Sequence, residues 1–249
     1  MRKVTAILQE LLFPPTCMGC GCRFPIDVKG TRTSPFCAAC EEKWEQAMRA
    51  ACPSCGRSLF DCRCQSALMK QAGSSGLVKL TSYGEGASHA LIRRVVYRMK
   101  RHYCEGMLSR CAQDLADGVR LALFDLGYST DRAVITYLPR SEKNLRRDGI
   151  DQAKELSLAL SATTNIPHAS YLKRVRRAKT QKRLNAKDRL RNLTDVFDAQ
   201  NVPSDVCVIL VDDVVTTGAS MSAACRALQN GGASTVLCCS LAYTEKQKR

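Results

Sequence analysis

Residues 206–220 read VCVILVDDVVTTGAS, and this stretch decides the fold. Its first part, 206–211, is apolar and mostly β-branched without polar alternation, which predicts a buried parallel strand. A helix is predicted over 219–230, closed by a glycine pair at 231–232 as left-handed caps. Residues 234–242 are again apolar. The order of these segments predicts a βαβ unit.

The turn inside this unit carries polar groups that suit a phosphorylated sugar. Asp212 and Asp213 end the strand, and Thr216, Thr217 and Gly218 follow before the helix. Backbone N–H groups and hydroxyls at the amino end of a helix bind phosphate, helped by the helix dipole. The two carboxylates can accept hydrogen bonds from sugar hydroxyls or organise a hydrated Mg²⁺. The loop is neither a Walker A loop nor a dinucleotide-binding glycine loop.

Composition limits the classes of protein. The 249 residues, 45% of them hydrophobic, suffice for one α/β domain plus a small module. The net charge of +15 favours polyanionic partners, and residues 140–192 hold fifteen Lys or Arg against five Asp or Glu, a local net charge of +10. No run approaches the length of a membrane span. The apolar stretch 4–13, interrupted by Gln9 and Glu10, predicts a short amphipathic helix rather than a signal peptide, so we expect the chain in the cytoplasm.

A cysteine-rich head, residues 1–69, is predicted to bind metal. Nine of the fifteen cysteines lie there, and Cys22 is the one outside the closely spaced pairs. The paired cysteines, which are the predicted metal ligands, are Cys17, Cys20, Cys37, Cys40, Cys52, Cys55, Cys62 and Cys64. Two Cys-x-x-Cys pairs complete a tetrahedral S₄ site, for which zinc is the default metal. Sequential pairing into two zinc sites, cross-braced pairing and a single zinc all fit the spacing, and an iron–sulfur cluster is the alternative.

The rest of the chain, residues 70–249, alternates predicted strands and helices. After a linker at 65–76, strands are predicted over 77–83, 132–138 and 171–175, and helices over 90–101, 107–124 and 151–160. Alternation of this kind indicates a doubly wound, mainly parallel α/β sheet, with ligands at the carboxyl ends of the strands.

Taken together, these motifs resemble a known family. Residues 206–220 resemble the phosphoribosyl pyrophosphate (PRPP) signature of type I phosphoribosyltransferases. With Leu12 to Cys20, the paired cysteines, and Arg147 to Ala153, the chain resembles the ComF family over nearly its whole length. These are amidophosphoribosyltransferase-like proteins linked to DNA uptake in natural competence. The resemblance implies a type I phosphoribosyltransferase-like domain over 70–249 and a small double zinc-ribbon-like module, a kind of zinc finger, over 1–69.

The resemblance also implies which residues bind PRPP with Mg²⁺. They match the family's motifs or lie beside them: Asp212, Asp213, Val215, Thr216, Thr217, Gly218, Ala219, Ser220, Arg140, Lys100 and Arg147. Residues 216–220 would hold the 5′-phosphate, the acidic pair would face the ribose hydroxyls, and the cations would meet the pyrophosphate. Each basic residue alone also fits a solvated surface charge, so the cluster carries the interpretation.

Two functions remain open. One is an active phosphoribosyltransferase of nucleotide metabolism or salvage, although no nucleobase pocket is recognisable. The favoured one is a ComF-type protein that binds PRPP and single-stranded DNA during natural transformation, with competence proteins such as a DNA-translocating helicase as partners. The predicted DNA contacts are Lys173, Arg174, Arg176, Arg177, Lys179, Lys182 and Arg183. This basic loop also fits a catalytic lid.

Overall fold

The computed structural model describes residues 14–25, 27, 33–83, 89–175 and 196–244, and its centre is a four-stranded parallel sheet. The strands are β1 (Leu77–Ser82), β2 (Ala133–Tyr137), β5 (Cys207–Val215) and β6 (Thr235–Tyr243), in the order β1-β6-β5-β2. Two short strands, β3 (Leu172–Arg174) and β4 (Phe197–Ala199), form a separate antiparallel ribbon.

Helices cover both faces of the sheet. They are α1 (Ala38–Met48), α2 (Ala67–Gln71), α3 (Ala90–Met99), α4 (Glu105–Asp125), α5 (Glu142–Asp148), α6 (Gln152–Thr164) and α7 (Ala219–Asn230). Helices α4 and α6 pack on one face, and α7 packs on the other with α2 and the β3–β4 ribbon. The predicted doubly wound α/β class is confirmed. No helix that the structure describes is long and apolar enough to cross a membrane.

The apolar run of β5 explains this layering. Cys207, Ile209 and Val211 join the core beneath α4 and α6, while Val208 and Leu210 join the core beneath α7. Successive side chains of a strand point to opposite faces, so a strand covered on both faces needs apolar residues throughout. The β5–α7–β6 unit has parallel strands, and its helix has the predicted bounds, 219–230.

Three local predictions need correction. β5 does not end at Val211 but continues to Val215, because its pairing with β6 runs on to Val215 opposite Tyr243. Gly231 ends α7 with a right-handed φ of −80°, and only Gly232, with φ 122°, has the predicted positive angle. The predicted linker 65–76 contains α2, whose Met69 is fully buried.

The cysteine-rich head shares its core with the sheet. Trp44 of α1 is fully buried, and its indole N–H donates to Asp114 Oδ2 of α4 over 2.9 Å. Cys17 and Phe36 belong to the same apolar cluster as α3 and α4. The predicted boundary between residues 69 and 70 falls within α2, and the division into two domains stays a prediction.

Candidate functional site

The turn between β5 and α7 forms an open cradle for an anion. Gly218 caps α7 with a left-handed φ of 79°. Within the part of the chain that the structure describes, the amide groups of Thr216, Thr217 and Gly218 have no hydrogen-bond partner. The two threonines and Ser220 are exposed, and Asp212 with residues 214–221 lines a concavity of about 60 Å³. Free N–H groups, hydroxyls and the positive end of a helix together suit a phosphate.

We call residues 216–220 the anion cradle. The acidic pair, Asp212 and Asp213, lies at one side of it. The Lys100 ammonium, just after α3, is 3.0 Å from Asp213 Oδ2. Asp212 Oδ1 accepts the Asp213 N–H over 2.8 Å, and Asp213 Oδ1 accepts the Val214 N–H over 2.8 Å. Burial, and then the neighbouring Asp213 charge, raise the pKa of Asp212 well above its ordinary value. A bound cation or a hydroxyl that donates to Asp212 would therefore favour its ionised form.

Arg140 lies near the acidic pair because β2 and β5 are neighbours. Leu138 N–H donates to Val211 O over 2.9 Å, so the chain leaves β2 level with the end of the apolar run. The Arg140 side chain is occupied: it donates to Ile150 O over 2.8 Å and pairs with Asp148 at 3.0 Å. A pyrophosphate in this position would compete with Asp148 for that guanidinium.

Arg147 also binds Asp148. Its Nε donates to Asp148 Oδ1 over 2.8 Å, and this hydrogen bond lowers the pKa of Asp148 to about 2. Both predicted pyrophosphate-binding arginines therefore converge on one carboxylate, that of Asp148. Lys100, in contrast, is held by the acidic pair itself.

The second cysteine cluster consists of Cys52, Cys55, Cys62 and Cys64, whose sulfurs all lie within 4.8 Å of one another. The Cys55 and Cys62 sulfurs are 3.6 Å apart. A tetrahedral site with Zn–S bonds of about 2.3 Å has sulfur–sulfur edges of about 3.8 Å. The cluster could therefore hold a metal ion, with the ligands that the sequence predicts.

A lysine missed by the sequence analysis contacts this cluster. Lys79 of β1 is 2% exposed, and its Nζ donates to Cys62 Sγ over 3.2 Å and to Cys64 O over 2.9 Å. Burial disfavours the Cys62 thiolate, but hydrogen bonds from Cys64 N–H, Cys52 and Lys79 outweigh it and lower the pKa of Cys62 to about 7. The only signal in the sequence is a lysine inside an apolar strand.

The first cysteine cluster is a group of four cysteines with a fifth, Cys40, beside it. The sulfurs of Cys17, Cys20, Cys22 and Cys37 lie within 4.8 Å of one another, and Cys20 and Cys37 are 3.7 Å apart. Cys22, unpaired in the sequence pattern, is thus a fourth sulfur of this group. Cys40 lies alongside: burial, followed by hydrogen bonding with Cys17 and Cys37, raises its pKa to about 12. Three of the four predicted ligands thus share this group with Cys22, and the predicted ligand Cys40 lies beside it.

The predicted nucleic-acid residues are described only in part. Lys173 and Arg174 lie exposed on β3, and the Arg174 guanidinium is 5.2 Å from the Phe197 ring centre. Five others lie outside the described residues: Arg176, Arg177, Lys179, Lys182 and Arg183.

Comparisons with known proteins show which families this chain resembles. A family described as phosphoribosyl transferase domain matches residues 146–249, which include β5, the cradle and α7. The chain is 26% identical over 218 residues to the DNA utilization protein YhgH of Salmonella typhimurium, across 86% of this chain and 92% of that protein. It is 39% identical over 90 residues to Competence protein F of Haemophilus influenzae, across 34% of this chain and 39% of that protein. A crystal structure of purine phosphoribosyltransferase from Pyrococcus horikoshii Ot3 has 16% identity and a TM-score of 0.34, covering 58% of this chain and 87% of that chain.

Proposed function

The chain belongs to the ComF family, and on this premise we propose that it binds PRPP with Mg²⁺ and also binds single-stranded DNA during DNA uptake. Relatives named for DNA utilization and for competence support the cellular role. The cytoplasm as location and a DNA-translocating helicase as partner remain predictions.

The anion cradle is the observation that carries the PRPP proposal. It combines the helix amino end with amides at Thr216, Thr217 and Gly218 that have no partner among the described residues. Thr216 to Ser220 would hold the 5′-phosphate, and Asp212 and Asp213 would receive the ribose hydroxyls. Mg²⁺, when bound with PRPP, would supply positive charge beside these carboxylates. Arg140, Arg147 and Lys100 would lie around the pyrophosphate.

Calorimetry with PRPP and Mg²⁺ tests this proposal. Asp212→Asn and Asp213→Asn remove charged acceptors, each worth about 1.5–3 kcal/mol, so we expect affinity to fall about 10- to 100-fold. Asp131→Asn is the matched control, because Asp131 lies before the amino end of β2, whereas the acidic pair lies toward the carboxyl end of β5. Equal PRPP affinity of parent and both acidic-pair variants would refute the proposal.

Pyrophosphate release separates binding from turnover. An active phosphoribosyltransferase would release pyrophosphate from PRPP in the presence of a suitable base or amine. We expect none, because no nucleobase pocket is recognisable in the sequence and Arg140 is occupied by Asp148 and Ile150. Release above the background of an Asp213→Asn variant would instead establish the enzymatic alternative.

We further propose one zinc ion in each cysteine cluster. The sulfur–sulfur separations of 3.7 and 3.6 Å support tetrahedral S₄ sites. Their role would be structural, because a short cysteine-rich segment gains much of its folding free energy from metal. Native mass spectrometry should show two zinc ions per chain, in colourless protein. A visible absorption band from iron and sulfide would contradict zinc.

A further inference from the structure

A stripe of exposed cationic and aromatic side chains runs along α3. Arg94 and Tyr97 are spaced i, i+3 on the exposed side of α3, and Arg101 follows in the turn directly after its end. Tyr97 is 55% exposed, and the Arg101 guanidinium lies 4.4 Å from its ring centre. The opposite side of α3 is buried against the core of the sheet and head. We call these three residues the α3 stripe.

The charges of this stripe have no carboxylate partner among the residues that the structure describes. Residues 87–104 contain five Lys or Arg and no Asp or Glu. No carboxylate among the described residues pairs with Arg94 or Arg101, and the Arg94 Nε donates only to Ala90 O of its own helix, over 3.3 Å. Lys100 is the cation of this segment that pairs with the acidic pair, through Asp213. Within the described part of the chain, the stripe therefore presents positive charge to solvent without a paired carboxylate.

The position of the stripe connects it to the anion cradle and to the head. At its carboxyl end, Arg101 follows Lys100, whose Nζ is 3.0 Å from Asp213. At its amino end, Arg94 lines a cavity of about 420 Å³ together with Lys43 of α1 and Thr81 of β1. A chain of phosphates could thus pass from the head, along α3, to the mouth of the cradle.

We propose that the α3 stripe is a binding surface for single-stranded nucleic acid, with a base stacked on Tyr97 and phosphates on Arg94 and Arg101. This rests on the proposed function and gives its DNA part a second surface beyond the basic segment predicted from the sequence. An exposed ring backed by a guanidinium is the kind of platform on which unpaired bases stack, whereas duplex DNA presents phosphates but no free base faces. The positive charge of the stripe favours a polyanionic ligand, and the exposed Tyr97 ring favours a polyanion that carries unpaired bases.

Fluorescence anisotropy with labelled oligothymidine tests this surface. Tyr97→Ala should weaken binding by about tenfold, because a base–aromatic stack contributes about 1–3 kcal/mol, and Tyr97→Phe should retain parental affinity. The Arg94→Gln/Arg101→Gln double variant should lower the slope of log affinity against log salt by about 1.4, since each phosphate contact of a single strand contributes about 0.7.

Matched controls lie at the other side of the molecule. Phe124→Ala removes an aromatic ring that is 79% exposed on α4. Arg132→Gln removes an arginine that lies 5.6 Å from the Tyr128 ring centre, before β2. Both controls should bind oligothymidine like the parent. Inorganic polyphosphate is the charge-only ligand, and its binding should respond to the double arginine variant but not to Tyr97→Ala.

The outcomes separate the surface from the broader function. If the parent binds oligothymidine and the stripe variants bind equally well, the stripe is refuted while DNA binding stands. If Tyr97→Ala weakens polyphosphate as much as oligothymidine, base stacking is refuted. If the parent binds no oligothymidine, the DNA part of the proposed function fails, and the stripe with it. PRPP calorimetry on Tyr97→Ala should match the parent, which shows that the fold is intact.

Discussion

Lys79 tests whether the second cysteine cluster carries negative charge. Its ammonium is buried, and among the described residues it contacts Cys62 Sγ and Cys64 O but no carboxylate. A buried charge without a counter-charge costs several kcal/mol. A metal bound by four thiolates carries net negative charge and would provide that counter-charge. We therefore expect Lys79 to stabilise the metal-loaded protein.

The change Lys79→Met removes the charge and keeps a long side chain. Removing one partner of a buried ion pair costs about 3–5 kcal/mol. For a chain of this size, 1 kcal/mol corresponds to about 2–4 °C in Tm, so the metal-loaded variant should unfold roughly 6–20 °C below the parent. After a chelator removes the metal, the cysteine thiols can protonate and the Lys79 ammonium loses its negative partner. Lys79→Met then removes an unpaired buried charge. The difference in Tm should vanish or reverse.

Thermal unfolding followed by circular dichroism, with and without a chelator, measures both differences. Lys70→Met is the matched control, because Lys70 is an exposed lysine of α2 close in sequence to the same cluster. Its Tm should equal that of the parent in both conditions. The reasoning is refuted if metal-loaded Lys79→Met unfolds with the parent, or if chelation leaves the difference unchanged.

Three further substitutions test the anion cradle and the head. The folded pKa of Asp212 lies well above its ordinary value of 3.8, so its protonation contributes stability that is full below pH 3.8 and is lost as pH rises through the folded pKa. Asp212→Asn should therefore raise Tm over the ligand-free parent near pH 8 but not near pH 3.5; no gain near pH 8 would contradict the raised pKa. Gly218→Ala forces a left-handed φ on a residue with a Cβ and a clash with Ser66 Oγ, so urea unfolding should show a loss of at least about 1 kcal/mol, partly restored by Ser66→Gly. Trp44→Phe removes the hydrogen bond to Asp114 and should cost about 1–3 kcal/mol in the same assay, and an unchanged midpoint would show that this contact does not anchor the head.

The sequence predicts the centre of the fold because its signals there are local. An apolar strand, a turn with glycine and a helix of regular spacing each depend on neighbouring residues, and they recur in the structure as β5, the anion cradle and α7. β5 extends beyond its predicted end because pairing with β6, not local composition, carries it to Val215. Aspartate is depleted in strands, but here Asp212 pairs in register with Ser240 of β6.

The partners of individual charges depend on packing that no local pattern shows. Lys79 meets Cys62 because the end of the head runs beside β1, where Leu77 N–H donates to Arg63 O over 3.4 Å. Likewise, the family resemblance suggests Arg140 for pyrophosphate, but not that Asp148 would hold it. Such contacts join residues whose spacing in the sequence is irregular, so periodicity and motif spacing carry no information about them.

The chain that leaves the second cysteine cluster contacts the anion cradle within two residues. Two residues after Cys64, Ser66 caps α2 by accepting the Met69 N–H over 3.3 Å. Ser66 and Met69 are also the nearest groups that a side chain at position 218 would meet. The left-handed turn of the cradle is therefore packed directly against the segment that leaves the cluster, with no room for a Cβ between them. Because that segment follows the cysteines at one end and contacts Gly218 at the other, the head packs directly against the turn that forms the cradle.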